Sequence, residues 1–125
     1  MNLVLDAGAL IGIDSAEREV LGHIELGRRA GANLVTSAPV VGQAWRNGAR
    51  QARLARSLSM IDAVPIDQEG AQRAGELLGR AGLADVVDAL LVGVAVPGDR
   101  VLTSDPADIR LLAQTRGIDV TVVVV

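Results

Sequence analysis

The sequence predicts an α/β fold, a three-layer α/β/α sandwich built on a mostly parallel sheet of five strands. Short apolar runs alternate along the chain with longer segments in which apolar residues recur at helical spacing. This alternation is typical of βαβ units with helices on both faces of a sheet. The length of 125 residues fits a single domain, residues 1–125, with one core. That core must consist of Val, Leu, Ile and Ala, because the chain contains no Phe, no Tyr and one Trp.

The predicted elements follow one another in the order that such a sheet requires. The first strand is the apolar run at 2–5, and the later strands lie at 33–36, 62–65, 100–103 and 119–124. The helices lie at 8–13, 16–30, 38–47, 50–60, 68–81, 87–96 and 106–115. Ser15, with Glu17 and Glu19 behind it, indicates the start of the second helix, and Gly31 indicates its end. The valine-rich last strand is expected to be buried on the sheet, because an exposed run of this kind would aggregate.

Composition excludes several classes of protein. The chain has no cysteine, which excludes disulfides, thiolate zinc sites and a cysteine nucleophile. The N-terminus lacks the basic and long apolar regions of a signal peptide, and the longest apolar stretch, residues 89–96, is far too short to cross a bilayer. We therefore expect a soluble cytoplasmic protein without membrane contact. No Ser/His/Asp set and no glycine-rich phosphate loop can be assembled from the residues present.

Acidic residues stand where predicted strands end or helices begin. Asp6 closes the first strand, Asp105 follows the fourth, and Asp88 opens an apolar helix with Asp85 about one turn before it. Because the carboxyl ends of parallel strands meet at one edge of the sheet, where ligands bind in such folds, these acids are candidate site residues. Each also has a structural explanation. Asp105 before Pro106 suits a helix N-cap, and the other two helix acids suit a helix dipole.

Taken together, the acids indicate a divalent cation. Like charges packed within a few Å repel one another unless a cation lies among them, and no Lys or Arg lies within four residues of any of these acids. Oxygen ligands alone favour a hard cation, Mg²⁺ or Mn²⁺, over zinc. A hard cation with a bound water suggests hydrolysis of a phosphodiester. A phospho-acceptor fold also ends its first strand in Asp, but such folds expect a lysine near a later strand, and this chain contains none.

Four segments, in this order, resemble the PIN domain, and within it the toxin ribonucleases of bacterial VapBC toxin–antitoxin modules. They are VLD at 4–6, SAPVVGQ at 37–43, DVVDAL at 85–90, and LTSD at 102–105 followed by Asp108. The match covers essentially the whole chain. The resemblance implies a PIN-like fold and a Mg²⁺- or Mn²⁺-dependent endoribonuclease. It also implies a homodimer held inactive by a cognate antitoxin, which inserts a segment near the active site.

The resemblance assigns roles to individual residues. Asp6, Asp88 and Asp105 match the acids with which the family binds its metal and performs catalysis. Asp108 matches a frequent additional acid, and Thr103 matches a common polar neighbour of the site.

At one position the chain departs from the family pattern, because Gln43 stands where the family usually has a Glu. An amide oxygen can still bind a cation or a water held by it, but the lost negative charge should weaken metal binding. Asp85 would share a helical face with Asp88 if the helix began that early, and would partly compensate; otherwise it is a solvated first-turn acid. A second interpretation is therefore a catalytically weak or inactive PIN module that binds RNA or antitoxin.

One stretch of the chain suggests a partner surface. The net charge of −3 argues weakly against nucleic acid, but residues 28–60 contain six arginines and no Asp or Glu. Arg46, Arg50 and Arg53 would form a row on one helical face if the helix ran on without a break. Such a row could track RNA phosphates, bind an acidic antitoxin or face solvent. Trp45 is expected to pack in the core or in a homodimer surface, with base stacking as a minor alternative.

Overall fold

The computed structural model describes all 125 residues and contains five β-strands and seven α-helices. The strands are β1 (Asn2–Leu5), β2 (Asn33–Ser37), β3 (Asp62–Val64), β4 (Arg100–Thr103) and β5 (Thr121–Val124). The helices are α1 (Ala7–Asp14), α2 (Arg18–Arg29), α3 (Ala38–Ala44), α4 (Ala52–Leu58), α5 (Gln68–Ala81), α6 (Val86–Val94) and α7 (Pro106–Arg116), and a 3₁₀ turn occupies Gly48–Arg50. Every predicted element is present, which confirms the α/β prediction.

The sheet is parallel throughout, and its strand order is β3-β2-β1-β4-β5. The chain first moves from β1 through β2 to β3, and then crosses back to β4 and β5. Right-handed crossovers therefore put α1–α4 on one face and α5–α7 on the other, and the helices of each group contact one another. The result is the three-layer α/β/α sandwich that the sequence predicts.

The order of the strands reverses between β1 and β4. These two strands are neighbours, with Leu5 in register with Leu102, yet their connections leave in opposite directions. In open α/β sheets, ligands bind in the crevice at the carboxyl ends of the strands where the order reverses. Asp6 and Asp105 follow these two strands, so the topology brings both to that crevice.

The core is aliphatic, as the composition predicts. Its largest fully buried side chains include Leu5, Leu10, Leu91, Leu102 and Leu112. Burying such a side chain stabilises the fold by about 1.5–3 kcal/mol, and the buried leucines tie both helical layers to the sheet. None of the helices has the length and apolar character needed to span a membrane.

Two local predictions were wrong. Ser15 does not begin α2 but ends α1, because its hydroxyl donates to the carbonyl of Ile11 at 3.0 Å, and Glu17 is the N-cap of α2. The last strand is only partly buried. β5 pairs only with β4 at the edge of the sheet; Val122 and Val123 pack against the core, but Val124 is 49% exposed.

Candidate metal centre

Asp6 lies directly after β1, at the carboxyl end of the strand. The residue is only 5% exposed, and its carboxylate accepts three hydrogen bonds. The amide of Ala9 donates to Oδ1 at 2.8 Å, which makes Asp6 the N-cap of α1. The hydroxyl of Thr103 and the amide of Ser104 donate to Oδ2 at 2.6 and 3.0 Å. A carboxylate oxygen can accept two hydrogen bonds, so Oδ1 keeps a free site for a cation while the group is held in one orientation.

Thr103 connects Asp6 to the loop that carries Asp105. Its hydroxyl donates to Asp6 and accepts from the amide of Asp105 at 2.8 Å. Asp105 occupies the N-cap position of α7, with Pro106 next to it, but its carboxylate makes no capping hydrogen bond. The predicted N-cap position with proline behind it is confirmed, but capping does not occupy the carboxylate of Asp105.

Asp88, Asp105 and Asp108 form a group that we call the acid cluster. Each offers a carboxylate oxygen, and these oxygens all lie within 4.8 Å of one another. Asp88 projects from the first turn of α6 and Asp108 from the first turn of α7. Asp6 is not part of this closest group.

The acid cluster carries unbalanced negative charge. Burial, followed by the charges of Asp85, Asp105, Asp6 and Asp108 in that order, raises the pKa of Asp88 from 3.8 to about 7. Partial burial, the charge of Asp105 and a hydrogen bond between the two side chains raise the pKa of Asp108 as well. All the acids predicted from the sequence are therefore close enough for the other four to raise the pKa of Asp88.

No basic side chain relieves this repulsion. The ion pairs of the protein join Glu25 to Arg29 and Glu69 to Arg73, and both lie on exposed faces of other helices. The largest surface cavity also lies elsewhere, between α5 and α6, and contains none of these acids.

Asp85 has a structural task. It is the N-cap of α6, and its Oδ1 accepts from the amides of Val87 and Asp88 at 2.9 and 3.1 Å. The helix begins at Val86, so Asp85 stands before it and does not share a helical face with Asp88. Its charge nevertheless acts on Asp88, where it is the strongest charge among those that raise the pKa.

Gln43 lies on an exposed part of α3, and its amide makes no hydrogen bond to another protein group. Helix α3 contacts both α1 and α6, so it borders the crevice. A role for the Gln43 amide in the metal site stays a prediction.

The predicted row of arginines does not form. Helix α3 ends at Ala44, and the side chain of Gln51 fixes the break that follows by accepting from the amides of Arg46 and Asn47 at 2.7 and 2.8 Å. Arg46 is used locally, because its Nη1 donates to two carbonyls at the end of α3. Arg50 and Arg53 are exposed on the 3₁₀ turn and on α4. Trp45 lies outside the core and is 37% exposed.

The donor set fits a hard divalent cation. Several carboxylates converge without a basic partner, and such oxygens are the ligands that Mg²⁺ and Mn²⁺ prefer.

One buried polar atom of the protein lacks a partner, because the hydroxyl of Ser37, at the end of β2, makes no hydrogen bond. Ser37 was not predicted as a site residue, although it lies at the carboxyl end of a strand, the same position that made Asp6 a candidate.

The chain matches no protein-family model and no curated protein.

Proposed function

We propose that this chain is a Mg²⁺- or Mn²⁺-dependent endoribonuclease of the PIN type, and the toxin of a toxin–antitoxin pair. One observation carries the proposal: acids from three elements converge at the switch point of a parallel sheet, and no basic side chain balances them. The order of the acids along the chain, Asp6, Asp88, Asp105 and Asp108, is the order that the PIN resemblance requires.

The three acids Asp6, Asp88 and Asp105 would hold the cation. Asp6 supports binding because three donors fix its carboxylate and leave Oδ1 with free capacity. Asp88 supports it because a cation would offset the burial and the neighbouring charges that raise its pKa to about 7, so that the group would be fully ionised at neutral pH. A bound Mg²⁺ or Mn²⁺ would supply a water of lowered pKa and would stabilise charge on the phosphoryl oxygens.

RNA as the substrate rests on the PIN resemblance, with support from the exposed arginines. Arg50 and Arg53 are exposed, and residues 28–60 contain no acid that would repel a phosphate. We assign the same surface, with Trp45, as the region where an antitoxin chain or a second copy of the protein binds. Light scattering of the purified chain tests the homodimer; a strict monomer at micromolar concentrations would contradict it.

A cleavage assay on total cellular RNA tests the proposal. The wild-type chain is expected to cut RNA with Mn²⁺ or Mg²⁺ and not with EDTA, and Asp6→Asn is expected to abolish cleavage. Asp62→Asn serves as the matched control, since Asp62 is an exposed acid at the amino end of β3, away from the crevice. Cleavage by the Asp6→Asn variant at the wild-type rate would contradict the assignment.

Gln43 favours a second candidate function, an inactive PIN module that binds RNA or antitoxin. The amide supplies no charge where the family usually has a carboxylate, and it is not held by any protein group. The same assay separates the two candidates when RNA binding is measured beside it. Binding of RNA without cation-dependent cleavage would favour the inactive module.

A further inference from the structure

Ser37 is an anomaly in the packing of the protein. The residue is fully buried, and its Oγ is the only buried side-chain nitrogen or oxygen without a hydrogen-bond partner. Buried hydroxyls are nearly always paired, because leaving one unpaired forfeits its hydrogen bonds to water. The neighbouring buried hydroxyl of Thr36 follows this rule, since it donates to the carbonyl of Leu5 at 2.7 Å.

The usual local partner is available to Ser37 but is not used. The residue occupies the N-cap position of α3, with extended backbone angles, where a serine normally accepts from a backbone amide in the first turn. Pro39 removes one of those amides, and the side chain makes no capping hydrogen bond to the others. The hydroxyl is therefore not explained by the helix that it precedes.

The register of the sheet shows where the hydroxyl lies. Val4 of β1 is in register with Val35 of β2, and continuing this register by two residues sets Asp6 beside Ser37. Residues in register project from the same face of a sheet. On the other side of Asp6, the same relation holds for Thr103, whose hydroxyl reaches the Asp6 carboxylate. Ser37, Asp6 and Thr103 thus form one row across three strands.

That row faces the helix that carries Asp88. Leu3 and Leu5 project from the opposite face, where Leu3 lies against α2. Asp6 and Ser37 therefore project toward the layer of α5–α7, in which α6 packs against β2. The unpaired hydroxyl therefore lies on the β2 side of Asp6, on the face of the sheet that α6 covers.

We infer that Ser37 is a positioning residue of the cation site, whose hydroxyl oxygen accepts a hydrogen bond from a water of the hydrated cation on the β2 side of Asp6. This inference rests on the proposed cation site. Mg²⁺ and Mn²⁺ bound by a few carboxylates keep several waters, and a water bound to a cation donates its hydrogen bonds to acceptors around it. In this arrangement the Thr103 hydroxyl orients the Asp6 carboxylate, and the Ser37 hydroxyl orients the water beside it.

The adjacent buried hydroxyls of Ser37 and Thr36 allow a matched pair of variants to be compared. Mn²⁺ affinity is measured by electron paramagnetic resonance of free Mn²⁺, and stability by urea unfolding of the metal-free protein. Ser37→Ala is expected to weaken Mn²⁺ binding about 3- to 10-fold, the value of one hydrogen bond, without lowering the unfolding midpoint. Thr36→Val is expected to lower the unfolding midpoint, because its hydroxyl is paired, and to change Mn²⁺ affinity less than about 2-fold.

The outcomes separate this inference from the proposed function. Unchanged Mn²⁺ affinity in Ser37→Ala, with normal binding by the wild type and lost binding in Asp6→Asn, would overturn the role of Ser37 alone. A fall in the unfolding midpoint of Ser37→Ala with no change in affinity would make the hydroxyl a structural group and would overturn the inference as well. Absence of Mn²⁺ binding by the wild-type chain would overturn both the cation site and the role of Ser37.

Discussion

The raised pKa of Asp88 makes a direct prediction about stability and pH. The pKa of this carboxyl is about 7 in the folded protein, against 3.8 for the ordinary group. Between these values the folded protein holds a proton that the unfolded chain releases. The contribution of Asp88 to stability is therefore fully present below pH 3.8 and is lost as the pH rises through about 7. In the metal-free protein, the Asp88→Asn variant should not show this loss of stability.

The size of the effect follows from the same shift. A difference of about three pKa units corresponds to about 4 kcal/mol at 1.36 kcal/mol per unit. Asp88 is only half-buried, however, and solvent screens the repulsion at such a position. We therefore expect Asp88→Asn to be more stable than the wild type by about 1–2 kcal/mol at pH 8 in the metal-free state, and by much less near pH 4.

Urea unfolding at several pH values between 4 and 8, with EDTA present, measures this difference. Asp62→Asn is the control. Asp62 is exposed at the amino end of β3, away from the acids, so its replacement should give no pH-dependent gain in stability. Addition of Mn²⁺ should make the wild type more stable than Asp88→Asn, since the cation stabilises only the chain that binds it. A gain for Asp88→Asn that did not grow with pH would refute the argument that burial and the neighbouring charges raise this pKa.

Two further predictions concern the surroundings of the acids. Gly8→Ala should destabilise the protein by about 1–3 kcal/mol in urea unfolding, because its Cβ would collide with the side chain of Ser104 and lie 3.3 Å from Asp6 Oδ1. Its control, Gly79→Ala in α5, where the Cβ meets nothing within 4 Å, should gain about 0.5–1 kcal/mol, and equal effects would show that the close approach at Gly8 is unimportant. Gln43→Glu should raise Mg²⁺ affinity and ribonuclease activity together by restoring a charge; a variant with neither change would show that position 43 lies outside the site.

The acids at the carboxyl ends of β1 and β4 could be predicted from the sequence, because the pattern that indicates them is local. A short apolar run that ends in an acid indicates a buried strand with a carboxylate at its end, and both Asp6 and Asp105 fit this pattern. The sequence analysis also identified Thr103 through the PIN resemblance, and the structure gives that residue a hydrogen bond to Asp6.

Features that depend on particular side-chain hydrogen bonds in the folded protein were not predictable from the sequence. The break after Ala44 is fixed by the Gln51 side chain, which caps the loop from several residues away, and it removes the predicted row of arginines. Asp85 was ambiguous because an acid near a helix start can cap or bind, and only the start of α6 at Val86 shows that it caps. The unpaired hydroxyl of Ser37 could not be found from sequence, because a missing hydrogen bond is a property of the packed protein.

The central claim is that the acids at the carboxyl ends of β1 and β4 hold a divalent cation, and diffraction from crystals soaked in Mn²⁺ tests it most directly. Anomalous scattering identifies Mn²⁺ without reference to any assumed site. We expect one strong peak within about 2–2.5 Å of carboxylate oxygens of Asp6 and of the acid cluster. An anomalous peak at another acidic surface, or no peak in the crevice at a Mn²⁺ concentration that saturates RNA cleavage, would contradict the account.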